Sequence, residues 1–131
     1  MFSGTRPDNL GVKDGRFAPC KPTPNCVSSQ AEPSDREHYI EPIAFKGARA
    51  KLRAAVESMP RAKVITEQGN YLYAEYTSAL MGYVDDVELF YDDRAGLVHV
   101  RSASRLGRRD FGVNRERIEQ LRSMLEKRIR S

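Results

Sequence analysis

The sequence predicts an α+β fold: an antiparallel sheet of about four to five strands, two helices on one face and an extended N-terminal arm. Three observations lead there. Apolar residues fall at helical spacing in two stretches, 47–59 and 114–129, and several alternating stretches lie between them. Five of the seven prolines, with Gly4, Gly11 and Gly15, crowd into residues 1–35. A chain of 131 residues suits one domain with one modest core. Accordingly, residues 1–131 are expected to form a single domain, with an arm over 1–35 and a body over 36–131.

Taken in order, the arm has too many prolines and glycines for a helix or a central strand. Its apolar residues Phe2, Leu10, Val12, Phe17 and Val27 are spaced as if to dock on the body. Tyr39 to Ile43 is a short strand that Pro42 marks as an edge. From Gly47 to Met59, Ala48, Leu52, Ala55, Val56 and Met59 form one helix face, and Pro60 ends it. Strands follow at Lys63 to Glu67 and Tyr71 to Ser78, joined at Gly69-Asn70. Two more run over Val84 to Tyr91 and Leu97 to Ala103, around the turn from Asp92 to Gly96. The last helix takes Asn114 as its N-cap and buries Ile118, Leu121, Leu125 and Ile129.

Composition excludes several classes. Charged residues make up 31% and hydrophobic ones 40%, the balance of a globular chain rather than a disordered one. No apolar run approaches the ~20 residues of a membrane-spanning helix. The first residues carry no apolar stretch after a basic one, so a cytoplasmic location is expected, or an exported one if a signal was removed. Net charge is +4, distributed as +6 over residues 101–131 and −2 over the rest. Glu116, Glu119 and Glu126 interrupt the basic charges of the final helix, and no aromatic residue is set among them to stack a base. Weak, salt-sensitive attraction to anionic surfaces is expected, without specific nucleic-acid binding.

Two stretches concentrate the chemistry. Residues 101–115 hold Arg101, Ser102, Ser104, Arg105, Asp110, Asn114 and Arg115, and residues 84–88 read V-D-D-V-E. Pairing their strands so that Val87 and Leu89 share a face with Val98 and Val100 sets Arg101 opposite Glu88 or, in the next register, Asp86. Asp85 then points to the core side, near Ser102 or Ser104, with Arg105 or the Gly107 loop as its nearest partner. Asp86 and Glu88 share a face that a magnesium ion would suit, although no metal and no cofactor is the simpler expectation. The loop before the last helix, with its arginines, is a candidate anion site, unless Asp110 and Asn114 occupy the free N–H groups themselves. No nucleophile-elbow, phosphate-loop or zinc-helix motif occurs. Cys20 and Cys26, in C-K-P-T-P-N-C, do not match zinc or redox spacing. They are expected to lie close together, bridged in an oxidising compartment and as thiols in the cytosol.

Four blocks, F-S-G-T-R-P-D-N-L-G-V, C-K-P-T-P-N-C-V-S-S-Q, G-Y-V-D-D-V-E and R-S-A-S-R-L-G-R-R-D-F-G-V-N-R-E-R-I, resemble the signatures of domain-of-unknown-function family 1499. The resemblance implies a bacterial or plastid protein with no assigned activity, often exported or lipid-anchored, with its cysteine pair outside the cytosol. It assigns no role to any residue. Three functional readings follow from the residues. One is a non-catalytic binding or accessory module with a site for a small anionic or polar ligand. The second is a hydrolase-like enzyme using Asp85, Asp86 or Glu88 with Arg101 and Arg105. The third is a weak binder of anionic surfaces.

Overall fold

The computed structural model describes residues 4–107 and 112–130, with side chains through residue 126. Its elements are β1 (Cys26–Ser28), β2 (Ile43–Ala44), α1 (Arg49–Glu57), β3 (Ala62–Gln68), β4 (Tyr71–Thr77), β5 (Val84–Asp92), β6 (Leu97–Ser104) and α2 (Val113–Arg130). The class is the α+β expected. One antiparallel sheet of six strands runs β1-β6-β5-β4-β3, with β2 also paired to β6.

The sheet is larger than expected because the arm contributes a strand. Cys26, Val27 and Ser28 pair with Ala103, Ser102 and Arg101 along the edge of β6. Further along that edge Ile43 and Ala44 pair with Val98 and Leu97. Tyr39, expected inside the same strand as Ile43, instead makes an isolated parallel bridge to Ser28. A three-residue strand such as Cys26–Ser28 gives no alternation to read, and β6 supplies the order that the local sequence lacks.

Alternation along the long strands sorts their side chains. Leu72, Ala74 and Tyr76 of β4 join Val87, Leu89 and Tyr91 of β5 and Val98 and Val100 of β6 on one face. Leu52, Ala55 and Val56 of α1 and Ile118, Leu121 and Leu125 of α2 close over them, so both helices cover that face. Ile129 of the expected stripe lies outside the described side chains. The other face carries Tyr71, Tyr73, Ile65 and Phe90, against which Leu10, Val12 and Phe17 of the arm pack. Burying those rings is the driving force that holds an otherwise irregular segment down.

Candidate functional site

Beside the aromatic patch, the arm-covered face is polar. Cross-strand pairing sets Glu88 opposite Arg101 and Asp86 opposite Ala103, so the first of the two expected registers is realised. Glu88 has no exposed surface, and Asp86 and Arg101 are 1% and 6% exposed. Buried charges demand partners, since an unpaired one costs several kcal/mol. Where each finds them decides what the site can do.

Asp86 is fully engaged. Arg105 donates from Nη2 and Nε to its carboxylate at 2.8 and 2.9 Å, and the Tyr73 hydroxyl donates to Oδ1. Arg105 also donates to Glu75 of β4, which Arg6 of the arm reaches at 2.7 Å. The hydrogen bond from Arg6, joined by those from Arg105 and Tyr73, outweighs burial and holds the Glu75 carboxyl down at about 2. Burial and the hydrogen bond to Asp86 push the Tyr73 hydroxyl well above its ordinary range, so it acts as a donor.

Glu88 and Arg101 are less well served. Glu88 Oε2 accepts from the Tyr71 hydroxyl at 2.6 Å and from the Gly11 backbone N–H at 2.8 Å. Gly11 sits at φ 106°, a left-handed conformation that favours glycine, while directing its N–H onto the carboxylate. Arg101 Nη1 stays 3.6 Å from Glu88 Oε1, beyond a hydrogen bond, and Nη2 reaches the Pro19 carbonyl only at 3.5 Å. Glu88 Oε1 and Arg101 Nε are buried without any hydrogen-bond partner. Burial raises the Glu88 carboxyl above its ordinary value despite Tyr71 and Gly11, and burial lowers the Arg101 guanidinium.

The candidates expected on the helix side have structural partners there. Asp85 does not meet Arg105: it forms an ion pair at 2.8 Å with Arg117 of α2, which also lies 4.9 Å over the Tyr76 ring. Arg105 continues the alternation of Arg101 and Ala103 onto the polar face, whereas Asp85 shares parity with Val87 and faces the helices. Asn114 is not the N-cap either. It is the second residue of α2, fully buried, and its Nδ2 donates to Ser104 Oγ and the Asn25 carbonyl while Ser102 Oγ donates to its Oδ1. Those sheet contacts fix α2 against β6 and β1. Arg115 points elsewhere, to the carbonyls of Arg36 and Glu37 at 3.3 and 3.4 Å. Asp110 lies outside the described residues, as does the whole segment 108–111 of the loop considered as an anion site.

Asp86, Arg101, Ser104 and Arg105 converge on one cleft of about 410 Å³, whose opposite wall is the arm. Thr5, Asp8, Asn9, Lys21, Thr23 and Asn25 complete its polar lining. Sequence reasoning missed Tyr71, Tyr73, Glu75 and Arg6, because nothing in alternating strands marks which rings and carboxylates the arm will cover. Among the described residues, no cluster of three or more His, Cys, Asp or Glu side chains is arranged to hold a metal ion. Nor is any described helix long and apolar enough to cross a membrane.

Cys20 and Cys26 form a disulfide with their Cα atoms 5.7 Å apart, tying the arm to β1. Cys26 lines the cleft just described; Cys20 lines a second one of about 350 Å³ that includes His38 and Asp35. His38 directs Nδ1 to Asp35 at 2.8 Å and Nε2 to the Thr23 carbonyl at 2.9 Å, bracing the disulfide loop.

These features define a disulfide-tied α+β protein whose sheet buries an ionic face under its own N-terminal arm. The chain belongs to the family described as "Protein of unknown function (DUF1499)", which matches residues 16–125. Neither the curated proteins nor the solved structures contain a match.

Proposed function

We propose that the protein is a non-catalytic binding or accessory module that holds a small polar or anionic ligand between the arm and the ionic face. One observation carries this reading: the two charged stretches meet on a single concavity, through Asp86, Arg101, Ser104 and Arg105. Lys21, Asn25 and Thr23 add donors and acceptors from the arm side, the mixture that fixes the orientation of a small polar molecule.

The hydrolase reading is weaker on geometry. Glu88, the carboxylate whose protonation is displaced upward, lies beneath the surface and does not line the cleft. Asp86 lines it but already serves Arg105 and Tyr73. General acid–base work needs a carboxyl within reach of substrate. The surface-binding reading loses ground because Arg122 of α2 is paired with Glu119 at 2.8 Å and Arg117 with Asp85. The bridge between Cys20 and Cys26 supports an oxidising compartment over the cytoplasm. Mass spectrometry of unreduced peptides from the native source tests that placement; two free thiols would reverse it.

The binding reading is tested by titrating a panel of small carboxylates, phosphates and sugars while following backbone amide resonances. Saturable shifts at Asn25, Ala103 and Ser104 are expected with at least one class. A panel that leaves those amides unmoved would overturn it.

A further inference from the structure

Arg101 is the anomaly of the ionic face. A guanidinium offers five N–H donors in a rigid fork. At 6% exposure, this one makes a single marginal hydrogen bond, at 3.5 Å, and its Nε has no partner. Its neighbour Arg105 shows what a satisfied arginine looks like here, with Asp86, Glu75 and Tyr73 all accepting from it. Arg101 nevertheless belongs to the lining of the cleft. The carboxylate nearest to it, Glu88, is held off at 3.6 Å because Tyr71 and Gly11 anchor the other carboxylate oxygen, and Asp86, the other carboxylate whose charge it feels, is engaged by Arg105.

Resting on the binding reading above, we propose that Arg101 receives one oxyanionic group of the cleft's ligand, a carboxylate or a phosphate-like group. We infer further that Glu88 trades its loose ion pair with Arg101 for a proton from solvent as that group binds. The charge balance requires the second step. Once a bound anion compensates Arg101, Glu88 is left charged, buried and without a counter-ion, and taking up one proton removes that penalty. The protonated carboxyl has an oxygen at hand for the new hydrogen, Oε1, while Oε2 keeps its two donors. Other charged or titratable groups facing Glu88 do not substitute for Arg101. Asp86, on the same strand, is another carboxyl group, paired with Arg105; Tyr71, from β4, is neutral and already donating; Tyr73, directly across on β4, donates to Asp86; and among the described residues the arm brings the Gly11 N–H.

Acetate and sulfate serve as probes, since both keep a constant charge above pH 6 and separate planar from tetrahedral oxyanions. The full chain with its disulfide intact is titrated with each, following the Arg101 Nε–H resonance and the amides of Asn25 and Ser104. Saturable movement of the Arg101 signal is expected, with the better probe reporting whether a carboxylate or a phosphate-like group is preferred. Affinity is expected to weaken as pH rises, by up to tenfold per pH unit for one linked proton. Glu88→Gln retains acceptors for Tyr71 and Gly11 and releases Arg101, so it should bind the probe more tightly and lose the pH dependence. An unchanged pH slope in Glu88→Gln would refute the proton exchange. If a neutral member of the panel moves Asn25 and Ser104 while neither anion moves Arg101, the cleft binds but Arg101 is not its receptor. If nothing moves any of them, the binding reading falls as well.

Discussion

Replacing Arg105 by alanine removes one cation from between two carboxylates, and the structure allows the cost to be worked out. Asp86 and Glu75 have side chains 2% and 16% exposed. Glu75 keeps Arg6, half in solvent at 52% exposure, so its loss is small. Asp86 keeps only the Tyr73 hydroxyl from this set, and a buried charge stripped of its partner costs ~3–5 kcal/mol. With a urea dependence of ~1.5 kcal/mol per molar, that lowers the unfolding midpoint by ~2–3 M. Arg105→Ala/Asp86→Asn, which removes the stranded charge as well, should recover ~1–2 kcal/mol relative to the single variant. Arg101→Ala should cost less than Arg105→Ala, because Glu88 accommodates a proton more readily than an ordinary carboxylate. A loss below ~1 kcal/mol for Arg105→Ala, by urea unfolding at neutral pH, would show that Asp86 does not depend on this arginine.

Three further outcomes follow from the same geometry. Reducing the Cys20–Cys26 bridge, which closes a loop with a sequence separation of 6, should lower stability by ~2 kcal/mol, read as a drop in Tm under reductant that a Cys20→Ser/Cys26→Ser variant does not show. Glu75 has its carboxyl depressed from 4.5 to about 2, so the stability it contributes is present above pH 4.5 and disappears as pH falls toward 2; Glu75→Gln should flatten the acid limb of the unfolding curve, and an identical limb would contradict the assignment. The two histidines should titrate on opposite sides of 6.5 by NMR: burial opposes the charge on His38, but Thr23 and Asp35 outweigh it and raise the value, whereas burial lowers His99. Because the raised His38 value stabilises the fold below 6.5 and that contribution is lost as pH climbs through the folded value, His38→Gln should weaken the alkaline-side decline.

Much of the frame was legible in the chain. Alternation in Val84 to Tyr91 and Leu97 to Ala103, with the requirement that Val87 and Leu89 join Val98 and Val100, limited the partner of Arg101 to Glu88 or Asp86, and the former is found. The helix stripes were plain for the same reason, since apolar spacing is a local property. Arg105 was harder. It lies one residue past β6, where alternation had to be extended beyond the strand, and it was paired with Asp85 on proximity in sequence rather than on parity. Arg117, the true partner of Asp85, sits on a helix whose rotation only the packed structure sets. Tyr71, Tyr73, Glu75 and Arg6 were invisible as a group because they meet only when an irregular arm folds back across β4 and β5. The strand Cys26–Ser28 was missed for want of any periodicity in three residues.

The arm's reach has a consequence for the order in which the molecule is built. Its polar contacts with the sheet span 69 residues from Arg6 to Glu75, 77 from Gly11 to Glu88 and 82 from Pro19 to Arg101. Hairpins β3–β4, β4–β5 and β5–β6 close over short turns and need none of them. Loop-closure entropy and contact order therefore place arm docking after the hairpins have formed. During that interval the carboxylates and guanidinium groups of the ionic face remain hydrated, and their desolvation is deferred to the final step. A mutation in the arm should then leave the folding rate of the sheet largely unchanged and act on unfolding instead, because the arm contributes to the native state and little to the barrier before it.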